Sequence, residues 1–156
     1  MKVDYVNPFL NGILNVLATM AMIEAVPGKP YLKTGETAKG EVTGLIGLAS
    51  PELKGSLAIN FTKGAILRIA EAMLGEHLTE IDATALDVAG EITNMVTGGA
   101  KRELSEKGYK FDMALPTIVN GIEHCISHGT KAPTIVVPFT IESAGEFYVE
   151  VSFEER

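Results

Sequence analysis

The apolar residues of this chain switch twice, in the same order, from helical spacing to strand spacing, and that repeated switch restricts the folds open to it. From Val3 to about Ala25, Leu10, Ile13, Leu14, Leu17 and Met20 recur three and four residues apart, the stripe of an amphipathic helix. A loop with Pro27, Gly28, Pro30 and Gly35 follows. Glu41–Ala49 and Leu53–Thr62 then alternate or run apolar over strand lengths around the turn Ser50-Pro51-Glu52, predicting a hairpin. Lys63–Leu74 returns to helical spacing through Ile66, Ile69, Ala70 and Met73, with Gly75 as its stop. A long helix is predicted from about Asp82 to Lys107, ended by Gly108. Extended pieces at Phe111–Leu115 and Thr117–Val119 and a loop at Asn120-Gly121 lead to a second hairpin, Thr134–Ser143 and Glu146–Phe153, joined at Ala144-Gly145.

Helix then hairpin, twice, predicts an α+β fold in which two long helices pack on an antiparallel β-sheet. Setting Asp4 against Asp87 and Asn11 against Asn94 aligns the two helices and suggests pseudo-duplicated helix–hairpin halves, about 1–80 and 81–156. Two copies of a common supersecondary pattern would read the same way without duplication. With 156 residues, 46% of them apolar, the chain is expected to fold as a single domain over 1–156.

The formal net charge of -7 argues against nucleic acid and against an anionic membrane surface, since binders of either gather Lys and Arg. Four Tyr, six Phe and no Trp leave little material for stacking bases. The single cysteine, Cys125, makes no internal disulfide, so a reducing, cytoplasmic setting is expected. Phe9–Ile23 is apolar enough to suggest an export signal, but Lys2 is offset by Asp4, Asn11 and Asn15 interrupt the run, and Glu24 closes it. It is also too short and too polar to span a bilayer.

On the long helix, Ala85, Val88, Ala89, Ile92, Met95, Val96, Gly99 and Ala100 share one face at the helical repeat, which marks the side turned to the core. The opposite face then carries Asp87, Glu91, Asn94 and Gly98, with Lys101 and Arg102 beyond. Glu91 and Asn94, an i,i+3 pair, have Cβ atoms about 5–6 Å apart and can enter a partner's cleft together. Gly98 and Gly99 each cost about 1 kcal/mol against Ala inside a helix, and close approach by another backbone would explain them.

Each of these residues also has a plainer reading. Asp87 could close a capping box with Thr84, and Glu91 with Asn94 could be an ordinary solvated face. His124, Cys125 and His128, with Glu123 nearby, invite a metal site, but a structural zinc wants four ligands and no second Cys/His pair stands elsewhere. His77, just after Gly75, suits a helix end. No Gly-x-Ser-x-Gly and no glycine-rich phosphate loop is present.

The run Asp87-x-x-x-Glu91-x-x-Asn94, followed by Pro116, resembles the signature of the CheC/CheX/FliY phosphatases of bacterial and archaeal chemotaxis, and the resemblance covers essentially the whole chain. Relatives with two active centres repeat the motif in the first helix. Here Asp4 and Asn11 flank Pro8 where the Glu would stand, so the first copy is read as inactive and the chain as CheX-type.

The resemblance implies a hydrolase that removes the aspartyl phosphate of a CheY-like response regulator. Asn94 would orient the attacking water and Glu91 would pair with the regulator's active-site lysine, while Asp87, Gly98 and Pro116 would contact the partner. An amide suits the first role, because it offers a donor and an acceptor at fixed geometry without being a strong base. The enzyme would need no metal of its own, Mg²⁺ being carried by the phosphorylated regulator, and a homodimer is implied. The competing readings are a non-catalytic binding module, like the related middle domain of the flagellar switch protein, and a small metal enzyme built on His124 and His128.

Overall fold

The computed structural model describes residues 3–156; Lys2, weighed above as the flank of an export signal, lies outside the described residues. Three helices, α1 (Val3–Met20), α2 (Lys63–Leu74) and α3 (Ala83–Glu106), accompany the strands, so the predicted α+β class holds. No described helix is long and apolar enough to cross a membrane.

The helix ends follow from local chemistry. The N–H groups of Ala21 and Ile23 both donate to Leu17 O, at 3.2 and 2.9 Å, and Met22 takes a φ of 54°. That left-handed closure ends α1 at Met20, short of the predicted Ala25. Pro8 lies inside the helix. Gly75 ends α2 as predicted, with φ 72° and its N–H on Glu71 O. The N-cap of α3 is Asp82, whose side chain accepts from Ala85 N at 3.0 Å. Thr84 is therefore inside the helix, and the capping box with Asp87 does not form.

Among the described residues eight strands, β1 (Val26–Pro27), β2 (Tyr31–Leu32), β3 (Val42–Ala49), β4 (Leu53–Phe61), β5 (Asp112–Met113), β6 (Thr117–Asn120), β7 (Ile135–Ile141) and β8 (Gly145–Glu155), form one antiparallel sheet in the order β1-β7-β8-β4-β3-β5, with β2 also on β7 and β6 also on β3. The two predicted hairpins are β3 with β4, and β7 with β8. They meet along β4 and β8, from Leu53↔Glu155 to Phe61↔Phe147. The edges are exchanged. The early β1 and β2, expected to be loop, pair with β7, while β5 and β6 pair with β3.

One continuous core lies between the helices and the sheet, built from Phe9, Ile13 and Leu17 of α1, Ile66 and Ile69 of α2, Ile92 and Val96 of α3, and the strand residues Phe61, Phe139 and Phe147. Two glycines let the layers close. A Cβ on Gly12 of α1 would stand 3.2 Å from Val96 O, and one on Gly44 of β3 would overlap Oγ1 of Thr93. Thr93 faces the sheet without an orphaned hydroxyl, since it donates to Ala89 O at 2.8 Å.

The other face of the sheet carries buried polar groups, among them Thr43, Ser56, Asn60, Glu150 and Ser152. All of these but Asn60 bind the crossing segment 121–134. His124 Nδ1 donates to Gly121 O at 2.7 Å, which leaves Nε2 to accept from Thr43 Oγ1 at 2.6 Å, and Asn60 Nδ2 donates to Thr43 Oγ1 at 2.8 Å. His128 sits between Ser56 Oγ and Glu150 Oε1, and Lys33 Nζ reaches Glu150 Oε2 at 2.9 Å. Burial pushes the Glu150 carboxyl up, but the His128 hydrogen bond and the Lys33 ammonium outweigh it and hold the group below its ordinary value. Both imidazoles are committed to the sheet, Cys125 is exposed opposite Thr37, and no metal-holding cluster occurs among the described residues.

Candidate functional site

The sequence of α3 sorts into an inner and an outer row, and burial follows that sorting. Ala85, Val88, Ala89, Ile92, Val96 and Ala100 are buried as expected, and Thr93, Thr97 and Leu104 join them. Met95 is only half-buried, and Gly99, assigned to the core face, is exposed. On the outer row Asp87 and Glu91 are exposed, while Asn94 and Gly98 are half-buried, with Lys101 half-buried and Arg102 exposed beyond them.

The side-chain hydrogen bonds of α3 lie at its cap and at the two inward threonines. Among the described residues none engages Asp87, Glu91 or Asn94. The i,i+3 pair thus stands side by side on a rigid helix, with a carboxylate and an amide both free to meet a partner. Gly98 and Gly99 face open space, since an added Cβ at either meets nothing within 4 Å. The close backbone approach expected there does not occur among the described residues.

Pro116 precedes β6 by one residue and is half-buried. Its strand lies beside α3, because Ile118 Cδ1 would be 3.5 Å from a Cβ on Gly90. Gly44, the register partner of Ile118, lies under Thr93, whereas the chain that leaves α3 returns at Met113, opposite Leu48. Hence α3 advances along β3 from Gly44 towards Leu48, antiparallel to β6. Pro116 therefore sits just ahead of β6, on the side towards which α3 runs after Gly90. In α1, Asp4 and Asn11 are exposed but Pro8 is buried, so no paired acceptor stands at that place.

Sequence reasoning overlooked Leu115. It is 85% exposed beside Pro116, and its inclusion in an expected strand, Phe111–Leu115, hid it.

Comparison with known proteins identifies the family. The family model described as "Chemotaxis phosphatase CheX" matches residues 42–140. The chain is 27% identical over 153 residues to the CheY-P phosphatase CheX of Thermotoga maritima, covering 97% of each protein. Among solved structures it superimposes on a CheC-like superfamily protein from Shewanella with a TM-score of 0.93 and 52% identity, covering 99% of both chains. It also superimposes on a CheX–CheY–BeF₃–Mg²⁺ complex from Borrelia burgdorferi, with a TM-score of 0.83 and 28% identity over 99% of this chain and 100% of that one. By the span of the family match and the identity to these structures, the chain belongs to the chemotaxis phosphatase CheX family.

Proposed function

We propose that this protein is a phosphatase for the aspartyl phosphate of a CheY-like response regulator, acting through the outer row of α3. The observation that carries the reading is the pairing of Glu91 with Asn94 on an open face, with no partner in the described chain. Asn94 holds a water in line with the phosphorus. The water oxygen forms the new P–O bond as the bond to the aspartyl oxygen breaks, which gives free aspartate and inorganic phosphate. The acceptor aspartate and the Mg²⁺ that neutralises the phosphoryl oxygens belong to the regulator, as the relative crystallised with CheY, BeF₃ and Mg²⁺ suggests.

Glu91 pairs with the regulator's active-site lysine and fixes the docking angle, while Asp87, Gly98 and Pro116 border the contact. A regulator already hydrolyses slowly, so positioning suffices; a hundredfold acceleration corresponds to about 2.7 kcal/mol of barrier. The reading includes one working centre, a cytoplasmic setting and a homodimer. It also includes descent from duplicated halves, supported by the reciprocal exchange of edge strands. The deciding experiment is the decay of a phosphorylated CheY-like protein in the presence of wild type, Asn94→Ala and Glu91→Lys. A binding module without catalysis would leave decay at the regulator's own rate even with the wild-type protein.

A further inference from the structure

The outer row of α3 supplies charge, an amide and glycines, yet no large apolar side chain, although specific interfaces are usually centred on one that becomes fully buried. The chain offers such a group on the strand side of α3, just ahead of β6. Leu115 is 85% exposed, and it sits on a short projection pinned at both ends to the same strand. Asp112 and Met113 pair with Ala49 and Leu48, and Thr117 pairs with Leu45. Between these points Ala114, Leu115 and Pro116 face only Ile46 and Gly47, so three residues oppose two and the chain bulges outward. Pro116 fixes its own φ, lacks an N–H and holds the preceding residue extended. Leu115 is therefore presented on rigid backbone, and little conformational freedom remains to be lost on binding.

We infer that Leu115 is the apolar anchor of the docking surface, inserting into an apolar patch beside the phosphorylated aspartate of the receiver domain on which α3 acts. This rests on the phosphatase reading for the identity of the occupant. Its position follows from the fold: β6 lies beside α3 through Ile118 and Gly90, and Leu115 projects just ahead of that strand, so an apolar contact there closes the interface on the strand side while Glu91 and Asn94 enter the cleft. The division of labour is then between Leu115 for affinity and Asn94 for turnover. Leu115 is a positioning residue, since it touches no reacting atom.

The test measures binding of a CheY-like regulator activated with beryllofluoride and Mg²⁺ to wild type, Leu115→Ala, Leu115→Glu and Leu115→Met. Affinity is expected to fall about tenfold for Leu115→Ala, further for Leu115→Glu, and to remain near wild type for Leu115→Met. In steady-state decay of the phosphorylated regulator the same loss appears in KM with kcat unchanged. The thermal melt is unmoved, because the side chain packs on nothing that folding buries. Wild-type affinity for both Leu115→Ala and Leu115→Glu overturns the anchor, as does a change of oligomeric state in Leu115→Glu without weaker regulator binding. Asn94→Ala is run in parallel: full turnover in that variant defeats the phosphatase reading whatever Leu115 does, and its binding data still judge the anchor.

Discussion

Gly44 on β3 and Thr93 on α3 approach so closely that no methyl group fits between them: a Cβ on Gly44 would overlap Thr93 Oγ1 and lie 3.0 Å from Thr93 Cβ. Thr93 immediately precedes Asn94, so this contact sets the height at which the outer row is carried. Gly44→Ala is expected to destabilise the fold by about 1–3 kcal/mol through overpacking. Thr93→Ala made in that background should recover part of the loss, giving a coupling energy in urea titrations of the double-mutant cycle. Strict additivity of the two changes would show that the contact does not set the spacing.

Glu91 and Asn94 should separate in kinetics. Asn94→Ala is expected to lower kcat about a hundredfold with little change in KM, since it removes a group used only as the water attacks. Glu91→Lys should instead raise KM steeply, because it sets like charge against the regulator's lysine. Stopped-flow or radiolabel decay over a range of regulator concentrations distinguishes the two, and intact regulator binding by Glu91→Lys would remove the docking role.

Gly98 has room for a side chain in the free protein, so Gly98→Ala should raise stability by about 0.5–1 kcal/mol through the better helix propensity of Ala. The same methyl stands where the regulator is proposed to pass, and affinity should fall. A melt that rises while binding weakens supports the proposal; a variant that is both more stable and equally tight rules Gly98 out of the contact.

Glu150 predicts an acid-labile clamp on the far face of the sheet. Its carboxyl lies below the ordinary value of 4.5 in the folded protein. Its contribution to stability is therefore complete above that value and lost as pH falls through the lower folded-state value. Glu150→Gln should be less stable than wild type at neutral pH and should lose less on acidification. Urea midpoints measured from pH 7 down to about 3 compare the two slopes; parallel curves would show that Glu150 is not the group responsible.

Where a stop signal was local, the sequence carried it. Gly75 ends α2 and Gly108 follows the end of α3, each with a positive φ that glycine adopts freely. The end of α1 was hidden because Met22 makes the left-handed closure while apolar residues continue past it, so neither composition nor period marks the place. The cap of α3 went to Asp82 because its carboxylate reaches Ala85 N, and Thr84 two residues on offered an equally good pattern.

The outer row of α3 was readable because a helix fixes which residues share a face. The strand beside it was not, because β5 and β6 are short and become strands only through their pairing with β3. The polar lattice around His124, His128 and Glu150 was likewise out of reach, since its members come from five separated segments. In the sequence the two histidines look like ligands; in the fold they are fasteners.

The pairing of β4 with β8 also bears on how the protein is made. The strand at the middle of the sheet follows every other element in the chain, and nine residues of β4 wait for it. During synthesis the first hairpin therefore leaves the ribosome with one long edge bare, and β7, the second strand needed to receive β1 and β2, arrives only shortly before β8. Native order must then appear late and all at once, and a nascent chain halted before Gly145 exposes a template for aggregation that a chaperone would have to shield.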